Sequence, residues 1–146
     1  MVGTQVCLWG EFTPTSQHTE YMLYPRLLAN AEVGWSNPEA KDWQRFQKSV
    51  ESNFNRFERD GVNYSTSMYN VYASFAFDAL SQHGLVQLTT EVEGYPIFYT
   101  TNGQTPSVKE SRYEGVFYAK RGVVVKAGVF NEEGILLGKI TEIKIK

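Results

Sequence analysis

The sequence predicts an α+β protein, with one β-strand and two α-helices followed by a small antiparallel β-sandwich. Two observations carry this. Up to Asp60-Gly61 apolar residues recur mainly at helical spacing, whereas beyond it Val, Ile, Thr, Tyr and Phe gather in short runs separated by Gly, Pro and Asn. The alternation is also sharp at the end of the chain, where Ile143-Lys144-Ile145-Lys146 places two apolar and two charged side chains on opposite faces.

In the first unit, assigned to residues 1–62, Thr4 to Phe12 reads as a strand. Gln5, Cys7, Trp9 and Glu11 would lie on one side and Val6, Leu8 and Gly10 on the other. Neither side is purely polar, which fits a strand covered on both faces. From Thr19 to Trp35, the residues Met22, Leu23, Leu27, Leu28, Ala31 and Trp35 follow a helical period, with Pro25 in a first turn or at a kink. Asn37 is expected to cap a second helix, with Pro38 in its first position and Glu39 at the positive end of its dipole. Trp43, Phe46, Val50, Phe54 and Phe57 form the apolar stripe of that helix, which ends at Gly61.

The second unit, residues 63–146, is expected to contain strands near Val71–Phe77, Leu85–Glu91, Pro96–Thr101, Gly115–Tyr118, Val123–Phe130 and Gly138–Lys146. Asn102-Gly103 marks a turn, because both residue types tolerate positive φ.

Composition narrows the function classes. A net charge of −2 with interspersed acidic and basic residues provides no basic stripe for phosphates, so no nucleic-acid partner is expected. No apolar run approaches the ~20 residues that span a bilayer, so no membrane partner is expected either. One cysteine, Cys7, precludes an intrachain disulfide, and two histidines, His18 and His83, give no zinc-site spacing. Neither metal nor cofactor is expected. The sequon Asn63-Tyr64-Ser65 reads as a chance match.

Nine Tyr, nine Phe and three Trp make the chain rich in aromatics. Such rings serve as core and also as platforms for the apolar faces of sugars. Trp9 and Glu11 combine a stacking surface with a carboxylate able to accept two hydroxyl hydrogen bonds, and strand geometry would point both the same way.

The context of that pair is more specific. Gln5-Val6-Cys7-Leu8-Trp9-Gly10-Glu11, then Glu20-Tyr21-Met22-Leu23-Tyr24-Pro25-Arg26-Leu27-Leu28-Ala29, then Ala31-Glu32-Val33-Gly34-Trp35-Ser36, resemble the end of the catalytic barrel in glycoside hydrolase family 20, the β-N-acetylhexosaminidases. Ile97-Phe98-Tyr99-Thr100-Thr101-Asn102-Gly103-Gln104-Thr105-Pro106 and Ser111-Arg112-Tyr113 resemble the C-terminal sandwich domain of many members. The resemblance implies that the first strand is barrel-derived, that residues 1–62 are the last strand and helices of a truncated (β/α)8 barrel, and that Trp9 and Glu11 line the subsite of a terminal N-acetylhexosamine. Arg26, Glu32 and Trp35 also match, with structural roles expected. Asn102 stands where Asp is common, a change expected to concern the turn alone.

The family's chemistry is substrate-assisted: the sugar's acetamido oxygen attacks the anomeric carbon while an adjacent Asp-Glu pair orients that group and protonates the leaving oxygen. The three aspartates here, Asp42, Asp60 and Asp78, precede Trp43, Gly61 and Ala79, so the pair is absent and no catalytic residue is assigned. The expectation is an inactive C-terminal fragment of a glycan hydrolase, whose parent works outside the cytoplasm (periplasmic, secreted or lysosomal). Its truncated barrel elements are expected to self-associate. A non-catalytic carbohydrate-binding or scaffolding module is the alternative.

Overall fold

The computed structural model describes residues 3–78 and 83–146; Met1, which opens the first assigned unit, and Ala79, which follows Asp78, lie outside them. The chain divides into two compact units, Met1–Ser65 and Thr66–Lys146. The fold is α+β, with three α-helices ahead of two antiparallel sheets.

Three helices rather than two make up the first unit: α1 (Ser16–Leu23), α2 (Arg26–Trp35) and α3 (Trp43–Arg59). Pro25 separates α1 from α2, because its ring cannot continue the α1 hydrogen-bond ladder. Thr15 caps α1, its hydroxyl oxygen accepting from the His18 N–H at 3.1 Å. Arg26 joins the first two helices by donating to the Tyr21 and Met22 carbonyls, each at 3.0 Å.

The cap of α3 also differs from expectation. Asn37 precedes only a short 3₁₀ turn, Pro38–Ala40, and its side chain makes no capping bond. Asp42 is the cap, with its carboxylate accepting from the Arg45 N–H at 2.7 Å immediately before the apolar stripe begins. Val50 and Phe54 are the buried centre of that stripe, and Phe54 stacks on Tyr64 with ring centroids 4.6 Å apart. The Tyr24 ring closes on Phe57 at 5.0 Å.

The expected strand Thr4–Phe12 is not formed. A strand exists by virtue of ladder partners, and no other strand occurs among the described residues of this unit. Residues 4–9 lack regular structure and Gly10–Phe12 form a 3₁₀ turn, while Thr4 is held to α2 through the Asn30 amide, which donates to its hydroxyl at 3.1 Å.

The second unit contains β1 (Tyr72–Asp78), β2 (His83–Thr89), β3 (Ile97–Thr100), β4 (Ser111–Arg112), β5 (Phe117–Lys120), β6 (Val124–Val129) and β7 (Thr141–Lys144). They form a three-stranded sheet in the order β1-β2-β5 and a four-stranded sheet in the order β4-β3-β6-β7, all antiparallel. Val86 and Leu88 from β2, with Val125, Ala127 and Val129 from β6, are sealed from solvent together with Ile145. The sheets meet closely: a Cβ built on Gly84 of β2 would stand 2.9 Å from Ile145 Cγ2, so only hydrogen fits there.

Candidate functional site

Trp9 and Glu11 fall where the extended N-terminal segment turns. Trp9 has extended backbone angles (φ −88°, ψ 120°) and begins the 3₁₀ turn that contains Glu11. The turn is closed by the Thr13 N–H donating to the Gly10 carbonyl at 3.2 Å, a bond reinforced by the Thr13 hydroxyl at 3.3 Å. The strand period that would aim both side chains one way ends at Trp9, because a 3₁₀ turn rotates successive residues by about 120°. Both residues are exposed, Trp9 at 73%. Among the described residues neither side chain takes part in a hydrogen bond, ion pair or ring contact. The indole face and the carboxylate are thus both available to a ligand.

A concavity of this unit lies elsewhere. A groove of about 270 Å³ between α2 and α3 is lined by Ala29, Glu32, Val33, Lys41, Asp42, Trp43 and Phe46. Its two carboxylates are engaged: Glu32 pairs with Arg45 across the helices, and Asp42 caps α3. Lys41 donates to the Val33 carbonyl at 3.5 Å. Paired, hydrogen-bonded acids in an apolar groove fit helix packing better than acid–base work. The sequence reading did not single out this groove. Its signal would have been the small Ala29 and the Val33 on α2, facing the start of the α3 stripe.

The residues that matched beside the pair act structurally, except for one. Arg26 bonds the end of α1 and Glu32 links α2 to α3, whereas Trp35, at the last position of α2, is 91% exposed. Asn102 has the expected turn role, its side-chain oxygen accepting from the Gln104 N–H at 3.0 Å ahead of Gly103 at φ 76°. Asn63 is engaged through both its N–H, to Glu20 at 2.9 Å, and its amide, to the Gln17 carbonyl at 2.8 Å, and Ser65 of the same sequon is buried. Among the described residues no group of His, Cys, Asp and Glu is placed to hold a metal ion, and no helix is long and apolar enough to cross a membrane.

Comparison with known proteins decides what this arrangement resembles. Residues 1–38 match the profile of the glycosyl hydrolase family 20 catalytic domain, and residues 79–137 match the chitobiase/β-hexosaminidase C-terminal domain. The chain resembles the C-terminal portion of a family 20 β-hexosaminidase. Among its relatives, a β-hexosaminidase of Porphyromonas gingivalis is 29% identical over 114 residues, covering 77% of this chain and 14% of that protein. A β-N-acetylhexosaminidase of Cellulomonas fimi is 31% identical over 67 residues, 46% of this chain and 14% of that protein. A β-hexosaminidase of Akkermansia muciniphila is 35% identical over 48 residues, 33% of this chain and 10% of that protein. This hexosaminidase-like chain therefore spans about one seventh or less of the length of these relatives. Trp9 and Glu11 both fall inside the stretch matched to the catalytic domain.

Proposed function

We propose that this chain supplies the C-terminal part of a β-N-acetylhexosaminidase, an enzyme that hydrolyses terminal β-linked N-acetylhexosamine with assistance from the substrate's acetamido group. In this reading Trp9 stacks on the sugar and Glu11 binds its ring hydroxyls. The match of residues 1–38 to a catalytic-domain profile carries the proposal, since it covers both residues, and their exposed, uncommitted side chains support it. The functional division is placed at residues 62 and 63, with the barrel-derived elements before it and the sandwich after it.

A glycosidase needs two groups flanking the scissile bond, and this sequence holds no adjacent Asp-Glu pair. Alone, the chain is expected to recognise sugar without turning it over. Purified protein incubated with an aryl N-acetylglucosaminide should release no aryl alcohol above buffer. Turnover that is lost in Glu11→Ala would overturn the assignment of no catalytic role.

The same reading includes self-association. Val6, Leu8, Phe12 and Trp35 are exposed in the first unit, and residues 4–9 bring no ladder partner with them. Sedimentation velocity should show a weight-average mass that rises with concentration through the micromolar range. A constant monomer would refute this part.

A further inference from the structure

The outer face of the three-stranded sheet has a composition that neither packing nor the catalytic resemblance explains. Antiparallel register fixes which residues share it: Tyr72 opposite Thr89, Ser74 opposite Gln87, and Ala76 opposite Leu85, which in turn lies opposite Tyr118. Exposure agrees with register. Tyr72, Ser74, Ala76, Gln87, Thr89 and Tyr118 face solvent, whereas Val86, Leu88 and Ala119 of the alternate set are buried. Tyr118 is 71% exposed and Tyr72 53%, on the two outer strands of the sheet. Val116, just before β5, is also exposed.

None of these positions carries a charge, in a chain where 21% of residues are charged. Among the described residues charge begins at the rim, with Glu91 beyond Tyr72 at one end and Lys120 at the other. A sheet face open to water is ordinarily polar, and here neutral hydroxyl and amide groups supply that polarity. The Tyr72 hydroxyl donates to the Glu91 carboxylate at 2.8 Å, which fixes the ring instead of leaving it to rotate freely. Strand spacing and rise put the two tyrosines about 17 Å apart along a diagonal, with the Ser74, Thr89 and Gln87 polar groups between them.

We propose that this face binds a neutral oligosaccharide of several residues, with Tyr72 and Tyr118 as stacking platforms and Ser74, Gln87 and Thr89 as hydrogen-bond partners for its hydroxyls. The absence of charge argues for an uncharged ligand and against phosphate-bearing ones. Flat aromatic faces with hydroxyl and amide groups between them suit rings whose C–H faces are apolar and whose edges are hydroxylated. The proposal rests on the hexosaminidase reading only for the choice of sugar.

The test is a titration of the full ¹⁵N-labelled chain with the tetramer of β-linked N-acetylglucosamine, followed by amide shifts. Saturable shifts should centre on residues 72–76, 85–89 and 116–118. Tyr118→Ala should weaken binding about three- to tenfold while leaving other resonances in place, and Tyr118→Phe, which keeps the ring, should retain it. Shifts confined to Trp9, Glu11 and their neighbours would overturn the platform and leave the subsite reading standing; shifts on the sheet alone would do the reverse. No saturable shift anywhere would overturn the platform, as would sheet shifts that follow protein concentration without sugar, since a second copy would then be the occupant.

Discussion

Ile145 and Gly84 form a contact whose energetics are calculable from the structure. Ile145 is 0% exposed although it is the penultimate residue, and it is held by its N–H donating to the Val123 carbonyl at 3.0 Å and by its carbonyl accepting from Gly122 at 2.7 Å. Ile145→Ala removes three buried carbons and leaves a cavity beside Gly84, which costs about 2–5 kcal/mol. Gly84→Ala acts in the opposite sense: its new Cβ would stand 2.9 Å from Ile145 Cγ2 and 3.3 Å from Phe75 Cδ2, an overpacking that costs about 1–3 kcal/mol. Gly84 lacks a positive φ, so the strain is one of space and not of backbone. Ile145→Ala deletes the very methyl that Gly84→Ala strikes. The double variant should therefore be more stable than the sum of the single effects by about 1–2 kcal/mol. Native-state hydrogen exchange at the Val86, Val125 and Val129 amides reads this unit without interference from the first. Strict additivity would refute the contact, and an Ile145→Ala cost below about 0.5 kcal/mol would refute its burial.

Two further perturbations test the first unit. Asp42→Ala should destabilise α3 by about 1 kcal/mol, lowering the midpoint of the 222 nm thermal transition, while Asp42→Asn should stay close to the parent. Tyr64, pushed up to about 12 by burial and then by the hydrogen bond and charge of Glu58, titrates higher in the folded chain than its ordinary 10. Its contribution to stability is therefore complete below pH 10 and lost as pH rises through about 12. Tyr64→Phe should flatten the urea-midpoint profile between these pH values, and parallel profiles for parent and variant would contradict the assignment.

The sandwich was legible because a strand covered on one face shows its period in sequence. Val125, Ala127 and Val129 are buried at every second position, as their spacing implies, and Asn102-Gly103 turns where its chemistry predicts. The two-residue strand β4 escaped notice because Ser111 and Arg112 are both exposed and carry no apolar signal; only pairing with Phe98 and Tyr99 makes them a strand. Asn37 and Asp42 are equally good caps by type, and what distinguishes them is the Arg45 N–H within reach of Asp42, a fact of geometry. For the candidate site, residue types were legible and mutual direction was not. A period-two argument needs a ladder, and whether residues 4–12 have one depends on partners that their own side chains do not specify.

The units also differ in how far each completes its own core, which predicts the order in which they open. Val86, Val129 and Ile145 are all 0% exposed, whereas in the first unit Val50 and Phe54 are the apolar side chains sealed among those described, and Trp9, Phe12, Trp35 and Trp43 remain more than half exposed. Burying one indole or phenyl ring of 150–250 Å² contributes on the order of 4–6 kcal/mol, so several rings left in water are a large deficit for so short a segment. Helices α1 and α2 have no buried residue, and helices this short are marginal without packing. Amides of α2 should thus exchange at least about 100-fold faster than those of β2 and β6, a gap of roughly 3 kcal/mol in opening free energy, when measured at the lowest workable concentration. Equal protection of α2 and β6 there would show that the first unit is self-sufficient. The exposed apolar side chains of the first unit would then need no covering surface, and the physical argument for self-association would fail.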